Sequence, residues 1–276
     1  MGNLQEQLEK MVKDSLNKEQ LMNQMNNYSK NVCPKCRNTG WMLVDDNGQG
    51  TAVECDCGIR KIMIHNNKLR FADIPESFKD VRLDNFKKSV YRSHENREMV
   101  VDIAKSVRYW FQNFEKMKER GIGLYFYSET KGSGKTRLAA SIANEIIEKY
   151  DLMVKFSTSV KILEEITNTW KDKEASESKL IHDLSSADVF VIDDFGAEVV
   201  RGWVNEKFYS IIDGRYTNKK ITIFTSNMSL DDLKYDDRIV SRLKERVLQI
   251  PFPEESVREL ITSQLKEELR KGIKNE

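Results

Sequence analysis

The sequence lacks the long apolar run that a membrane-spanning helix requires. No stretch approaches the ~18 consecutive apolar residues of such a helix. A secretion signal is missing as well, because residues 1–20, MGNLQEQLEKMVKDSLNKEQ, carry charges where a signal peptide has its apolar segment. These absences predict a cytoplasmic protein without a membrane partner.

An excess of charge of either sign is also missing. The 45 lysines and arginines nearly balance the 44 aspartates and glutamates, so no overall field attracts the chain to nucleic acid or to an anionic membrane. Any such binding has to come from a local patch. With 276 residues, the chain has room for one sizeable domain with a full hydrophobic core and a smaller appendage.

Cysteine is absent outside residues 33–57, a clustering that in a reducing compartment favours metal over disulfides. The four cysteines form two closely spaced pairs, Cys33 with Cys36 and Cys55 with Cys57. Between the pairs, residues 41–44 and 51–53 are predicted to form the strands of a β-hairpin, with a turn at DDNGQG. A hairpin brings its two ends together, and four thiolates suit one tetrahedral Zn²⁺.

We therefore expect a structural zinc ion, since four cysteine ligands leave no open position for substrate or water. Two alternatives stay open. The C-x-C pair is tighter than usual, which leaves room for reduced thiols or redox chemistry. His65, eight residues after Cys57, is either a ligand that replaces one cysteine or an ordinary surface histidine.

A glycine-rich segment follows an apolar run at residues 125–136, YFYSETKGSGKT, and leads into a helical pattern. Backbone N–H groups of such a turn, with the N-terminus of the next helix, surround phosphate oxygens. Lys135 would reach the β and γ phosphates, and Thr136 would hold Mg²⁺. The residues expected to contact the nucleotide are Lys131, Gly132, Ser133, Gly134, Lys135, Thr136 and Arg137. An ordinary glycine-rich strand-to-helix turn is the alternative.

One residue of this segment departs from the pattern G-x-x-x-x-G-K-[ST]. Glu129 stands where the first glycine belongs. A negative side chain at that position must point away from the phosphates.

Two further apolar segments end in polar side chains. Residues 189–194, VFVIDD, predict a buried strand whose Asp193 orients Mg²⁺ and whose Asp194 polarises the water that attacks the γ-phosphate. Residues 221–226, ITIFTS, predict a neighbouring strand, and Asn227 at its end would hydrogen-bond that water or the γ-phosphate. The alternatives are a solvated strand end for the aspartates and a helix N-cap for the asparagine.

Arg238 and Arg242 lie four residues apart in DDRIVSRLKER and so share one face of a predicted helix. From that position they would reach a nucleotide bound by a neighbouring subunit, as arginine fingers do. A surface helix with salt bridges is the competing interpretation.

The rest of the chain is predicted to be largely helical. Helices are expected at residues 4–28, 59–70, 100–117, 160–170 and 257–269. Residues 71–86 are expected to form an irregular linker, punctuated by Pro75, at the domain boundary. Gly121 and Gly123 are expected to end the long helix that precedes the phosphate loop.

The order GSGKT, VIDDFG, TSN and RIVSRL resembles the AAA+ ATPases of the bacterial helicase-loader group, the DnaC and DnaI type, with the IstB transposition helper as close kin. The segment CPKC…TGW…CDCG is similar to the zinc-containing N-terminal part of those loaders. The resemblance implies an α/β fold: a P-loop AAA+ parallel sheet flanked by helices, a short C-terminal lid helix and a small N-terminal zinc-binding domain.

The resemblance also implies a division of labour. Residues 1–70 would bind the replicative DnaB-type helicase, residues 71–90 would be a linker, and residues 91–276 would form the ATPase domain. ATP, Mg²⁺ and Zn²⁺ are the implied cofactors. The implied function is ATP-dependent loading of the helicase onto single-stranded DNA during replication initiation, by a homo-oligomer that forms when ATP is bound.

In the family pattern, Arg242 is the better candidate for the arginine finger, and Arg238 has a supporting role beside it. Arg258, in EESVREL, is similar to the sensor 2 arginine of G-E-S-x-R, but Pro253 and Glu254 do not reproduce its glycine.

DNA contact has a candidate segment at residues 155–171, which offers basic groups and Trp170 for stacking. Core packing and solvation explain these residues equally well. Two other functions stay open: a transposase helper of the IstB type, and a nucleotide-gated adaptor without significant turnover. A small-molecule kinase is less consistent with the sequence, because no segment resembles an acceptor site.

Overall fold

The computed structural model describes residues 32–46, 49–150, 152–171, 176–259, 262–263, 266 and 270. The helices expected at residues 4–28 lie outside the described residues. Of the expected C-terminal helix, residues 257–259 are helical, and much of its course beyond Glu259 lies outside the described part as well. The chain divides into two compact units, a small unit up to Asn67 and a large unit from Lys68 onward.

The small unit contains the predicted β-hairpin. Strands β1 (Trp41–Asp46) and β2 (Gln49–Glu54) pair antiparallel with Trp41 opposite Glu54. Both strands are longer than predicted and include four of the six residues of DDNGQG. Helix α1 (Ile59–Ala72) follows, as predicted, and the division between the units falls within it.

The large unit is built on a five-stranded parallel sheet, which confirms the predicted fold class. Its strands are β3 (Gly123–Tyr127), β4 (Val154–Thr158), β5 (Val189–Asp193), β6 (Ile221–Ser226) and β7 (Val247–Pro251). They lie in the order β4-β5-β6-β3-β7. The sheet therefore places the ends of β5 and β3, which precede the two predicted phosphate-site motifs, on either side of β6.

Helices cover both faces of this sheet. They are α2 (His94–Gln112), α3 (Phe114–Arg120), α4 (Lys135–Tyr150), α5 (Ser159–Thr169), α6 (Glu177–Ser186), α7 (Gly202–Thr217) and α8 (Asp237–Arg246). Successive strand residues point to opposite faces, so Leu124 and Phe126 enter one hydrophobic cluster while Tyr125 enters the other. A sheet buried on both faces explains why its strands are nearly continuous apolar runs.

The long helix expected before the phosphate loop is two helices, because Asn113 is the C-cap of α2 and the N-cap of α3. Gly121 ends α3 with a left-handed φ of +66°, as expected. Gly123 does not act as a helix stop. It is the first residue of β3, where a Cβ atom would lie 1.8 Å from the carbonyl oxygen of Thr222. Close approach of two strands is the reason for this glycine.

The segment expected as a linker, residues 71–86, is largely irregular but belongs to the large unit. Ala72, Ile74 and Val81 are buried in its core. The side-chain amide of Asn144 on α4 donates hydrogen bonds to the carbonyl oxygens of Phe78 and Val81, both at 2.9 Å.

Arg215 on α7 is a buried cation, only 1% exposed, that the sequence did not single out. Its guanidinium donates to the carbonyl oxygens of Leu184 at 3.0 Å, Ala187 at 2.8 Å and Ile221, and to Thr222 Oγ1 at 2.9 Å. One side chain thus satisfies carbonyl groups at the end of α6 and on β6 that no water reaches.

Replacing Arg215 with methionine is expected to lower the free energy of unfolding of the large unit by about 3–5 kcal/mol, because several buried acceptors lose their donor. Urea unfolding measures this change. Lys220→Met is the matched control, since Lys220 is partly exposed in its ion pair with Asp188 and should change stability by about 1 kcal/mol or less. Equal effects of the two substitutions would contradict this account of Arg215.

Within the described residues, no helix is both long and apolar enough to cross a membrane.

Candidate functional site

The phosphate-loop candidate joins the end of β3 to the start of α4. Gly132 and Gly134 take φ values of +81° and +106°, which favour glycine. A Cβ atom would lie 3.0 Å from Arg258 Cδ at the first position and 2.9 Å from the Tyr91 hydroxyl oxygen at the second. Both glycines are therefore required by conformation and by space.

Lys135 is buried at the first position of α4. Its ammonium group donates to the carbonyl oxygens of Ser128 and Thr130, both at 3.0 Å, and so points back into the loop. Burial lowers the pKa of Lys135, while the nearby carboxylates of Asp194 and Glu254 act in the opposite direction. The cation lies at the centre of the loop, where it can contact the phosphates of a bound nucleotide.

Glu129 does not need the conformational freedom of glycine. Its φ is negative, unlike those of Gly132 and Gly134, and its side chain is exposed. Its backbone N–H donates to Glu254 Oε1 at 2.9 Å. The departure from the glycine pattern is thus compatible with the backbone of this loop.

Asp193 ends β5 and is 5% exposed. The Thr225 hydroxyl donates to its Oδ1 at 2.5 Å. Burial raises the pKa of Asp193, and hydrogen bonds from the hydroxyls of Thr225 and Thr136 oppose that rise. Thr136 and Asp193, the two residues predicted to hold Mg²⁺, therefore lie together. Carboxylate and hydroxyl oxygens suit this hard cation.

Asp194 follows directly and is exposed. Its φ of +52° is rare for a residue other than glycine. Two hydrogen bonds hold this backbone: Thr225 Oγ1 accepts from the Asp194 N–H at 3.0 Å, and Ser159 Oγ donates to the Asp194 carbonyl oxygen at 3.0 Å. Strain of this kind is often found at functional sites, and here it turns the carboxylate toward solvent beside buried Asp193.

Asn227 is half-buried and follows β6, the strand between β5 and β3. The register pairs Ser226 with Tyr127, so Asn227 lies level with Ser128, where the loop begins. The topology thus places the predicted amide at the same edge of the sheet as the loop and the aspartates.

Arg258 lies beside the loop, with its side chain against Gly132.

Two residues that sequence reasoning missed also belong to this edge. Tyr91 is 1% exposed and donates from its hydroxyl to the carbonyl oxygen of Ser133 at 2.6 Å. Thr225 contacts both aspartates, and its signal was a hydroxyl side chain near the end of a predicted buried strand. No local pattern identifies Tyr91.

Arg238 and Arg242 do not reach the loop of their own chain. Arg242 shares a small cavity with Gly121 and Val247, which lie at the amino ends of β3 and β7, opposite the loop. Its guanidinium pairs with Asp213 at 2.7 Å and is one-quarter exposed. Arg238 is 62% exposed and pairs with Asp236 at 3.0 Å.

Two lysines of the segment expected to contact DNA are paired with one carboxylate of the same chain. Lys155 and Lys161 both pair with Asp73, at 3.6 and 2.5 Å. Trp170, which is 54% exposed, packs edge-on against Trp203 with 5.2 Å between ring centroids. Ion pairing and ring packing account for these side chains within the chain itself.

The four cysteine sulfurs of the small unit lie within 4.8 Å of one another. Cys33 Sγ is 3.9 Å from Cys55 Sγ, and Cys36 Sγ is 3.6 Å from Cys57 Sγ. A tetrahedron with Zn–S bonds of about 2.3 Å has sulfur–sulfur edges of about 3.8 Å, so the residues fit a zinc ion. Among the described residues, the cluster consists of the four cysteines without His65.

Backbone hydrogen bonds favour the thiolate at Cys33, whereas the pKa values of Cys55 and Cys57 are raised, with burial contributing at both. The N–H groups of Cys36 and Lys35 lower the pKa of the Cys33 thiol to about 7. A thiolate is the form that binds zinc.

Replacing Cys33 with serine is expected to lower bound zinc from about one ion per chain to less than about 0.1, because three thiolates and a hydroxyl hold zinc weakly. Inductively coupled plasma mass spectrometry of the purified protein measures the metal. His65→Ala should retain the full zinc content. Loss of zinc in His65→Ala with retention in Cys33→Ser would reverse the ligand assignment.

A family model described as the bacterial DnaA ATPase domain matches residues 112–249, which is half of the chain. In sequence, the chain is 31% identical over 146 residues to the replicative helicase loader DnaI of Bacillus subtilis, a match that covers 49% of this chain and 45% of that protein. It is 27% identical over 125 residues to the replicative helicase loader DnaC of Escherichia coli, covering 45% of this chain and 51% of that protein. The chain thus spans about half the length of these two relatives.

Among solved structures, the chain is similar to the crystal structure of the DnaC helicase loader, with a TM-score of 0.55 and 25% identity. That match covers 65% of this chain and 100% of the solved one. The residues matched by the family model include the loop and the paired aspartates.

Proposed function

This chain belongs to the bacterial DnaA ATPase-domain family, and from that premise we propose that it is an ATP-hydrolysing loader of a replicative helicase. The helicase would be of the DnaB type and would be delivered onto single-stranded DNA. The names of the DnaI and DnaC relatives support the proposal. The observation that carries it is the convergence of Lys135, Thr136 and Asp193 at one edge of a parallel sheet.

Each residue at this edge has a proposed role in ATP hydrolysis. Lys135 binds the β and γ phosphates. Asp194 polarises the attacking water, and Asn227 hydrogen-bonds that water or the γ-phosphate. Thr136 and Asp193 would hold Mg²⁺, which neutralises phosphate charge when it is bound. Arg258, which lies against the loop, contacts the phosphates from the side of the C-terminal segment.

Completion of the site is proposed to need a second copy of the chain. Arg242 lies at the edge of the sheet opposite the loop of its own chain, so it would serve a nucleotide bound by a neighbour, and Arg238 lies one helical turn before it. Arg242 would have to leave Asp213 to do so. ATP would favour this self-association by placing a phosphate charge in the path of the arginine.

The small unit is proposed to bind the helicase through residues 1–70, with the zinc ion fixing the shape of the hairpin. Residues 71–90 are proposed to join it to the ATPase domain of residues 91–276. Several apolar side chains of the hairpin are exposed, with Leu43 at 82% and Trp41 at 44%. Exposed apolar groups of this size are typical of an interaction surface.

One observation favours a second candidate, a nucleotide-gated adaptor with little turnover. The ion pair between Arg242 and Asp213 holds the proposed finger within its own chain. If that pair persists in the assembly, ATP binding would act as the switch and hydrolysis would be incidental.

A pull-down against the replicative helicase of the host tests the proposal. The intact protein is expected to retain the helicase on beads, and a variant without residues 1–67 is expected to retain less than about one-tenth as much, because the proposed helicase-binding surface is gone. Circular dichroism checks that the shortened protein is folded. Undiminished retention by the shortened protein would contradict the assignment of helicase binding to the small unit.

A further inference from the structure

Residues 253–258 run alongside the phosphate loop and are hydrogen-bonded to it at both ends. The Ser128 hydroxyl donates to the carbonyl oxygen of Pro253 at 3.2 Å. At the other end, the Val257 N–H donates to the carbonyl oxygen of Gly132 at 2.9 Å. The loop is therefore fixed against a segment that lies more than a hundred residues away in sequence.

Glu254 makes the central contacts between this segment and the phosphate loop. Its Oε1 accepts from the Glu129 N–H at 2.9 Å, and its Oε2 accepts from the Thr130 N–H at 2.8 Å. Partial burial raises the pKa of this carboxyl, but the hydrogen bonds from Thr130 and Glu129 outweigh burial and lower it. The carboxylate is thus charged at neutral pH, and hydrogen bonds to charged acceptors are stronger than those between neutral groups.

Both partners stand where the family pattern has glycine. Glu129 replaces the first glycine of the phosphate loop, and Glu254 replaces the glycine of G-E-S-x-R. The structure joins these two departures by a hydrogen bond. We infer that Glu254 is a positioning residue for the phosphate loop, whose carboxylate holds the backbone N–H groups of Glu129 and Thr130 and ties them to the segment that carries Arg258.

This inference rests on the proposed ATP-binding function of the loop. A loop held in its binding conformation before ATP arrives loses less conformational entropy on binding. Glu254 also couples the two sides of the site, because Arg258 is only four residues further along the chain. A change in the C-terminal segment is therefore transmitted to the loop through this carboxylate.

A purely electrostatic role of Glu254 and a positioning role would change ATP affinity in opposite directions when the residue is removed. A carboxylate near a triphosphate repels it, so if Glu254 were only a local negative charge, its removal would strengthen ATP binding. If Glu254 positions the loop, its removal weakens binding. The direction of the change separates the two explanations.

The experiment compares Glu254→Ala with Glu255→Ala in the full-length chain. Glu255 is the matched control because it lies in the same segment but accepts from the Arg92 N–H at 2.8 Å and from Asn96 Nδ2 at 2.7 Å, away from the loop. Glu254→Ala is expected to weaken ATP affinity about tenfold in titration calorimetry and to raise KM by a similar factor with kcat within about twofold. Glu255→Ala should change affinity by less than about twofold. Glu254→Gln, which keeps one acceptor oxygen, should recover part of the loss.

Hydrogen exchange of the nucleotide-free protein supplies a second measurement. Glu254→Ala should speed exchange in a peptide covering residues 128–131 about tenfold, with α4 unchanged. Unchanged exchange in that peptide would overturn the inference, as would ATP affinity that rises or that falls equally in Glu255→Ala. A wild-type protein that binds no ATP would contradict the proposed function, while the exchange result would still decide the role of Glu254.

Discussion

Lys135→Ala is expected to weaken ATP affinity by about 100-fold or more. The ammonium group is buried at the centre of the loop, and loss of a buried, hydrogen-bonded charge partner weakens binding by several kcal/mol. Titration calorimetry with ATP and Mg²⁺ measures the dissociation constant. The protein should remain folded, because the alanine continues α4.

Lys149→Ala is the control for this prediction. Lys149 lies near the other end of the same helix, where its partly exposed side chain pairs with Glu145. Its removal should change ATP affinity by less than about twofold. If Lys135→Ala bound ATP as tightly as the Lys149 variant, the loop would have another function.

Asp194→Asn is expected to lower the kcat of ATP hydrolysis by about 100-fold or more while ATP affinity stays within about threefold. An amide cannot accept a proton from the attacking water, and removal of a general base typically lowers the rate by about 10² to 10⁴. The strained backbone should be retained, since asparagine also tolerates a positive φ. A phosphate-release assay at saturating ATP measures kcat.

The control for charge removal is Asp102→Asn on the exposed face of α2, where the carboxylate pairs with Lys105. Its kcat should equal that of the wild type. Equal turnover by wild type and Asp194→Asn would contradict the role of Asp194 in hydrolysis. Loss of turnover in Asp194→Asn with undiminished helicase loading would favour the nucleotide-gated adaptor.

Local patterns were sufficient to predict most of the sheet and its motifs. Three apolar runs form buried strands: the run that precedes the glycine-rich loop, residues 189–193 and residues 221–226. Their residues are apolar on both sides because helices cover both faces of the sheet. The polar residues that follow these strands lie at one edge because the strands are parallel. Four cysteines around a hairpin likewise meet because a hairpin joins its ends.

Contacts between distant segments could not be predicted in this way. Gly123 was interpreted as a helix stop, but it is required by the approach of Thr222 from a strand about a hundred residues later. Helix α7 was missed, because burial of its face depends on the sheet rather than on a strong pattern of its own. The hydrogen bonds of Glu254 to the loop follow from the path of the last strand, β7, beside β3. Such pairs become visible only when the fold is known.

In the proposed function, the ATP site drives delivery of a helicase. The most direct measurement is the amount of the host's replicative helicase that becomes bound to circular single-stranded DNA in the presence of ATP, with wild-type protein or Lys135→Ala. Wild-type protein is expected to increase loading at least about tenfold over helicase alone, and Lys135→Ala is expected to give no increase. Equal loading by the two proteins would contradict the proposed function.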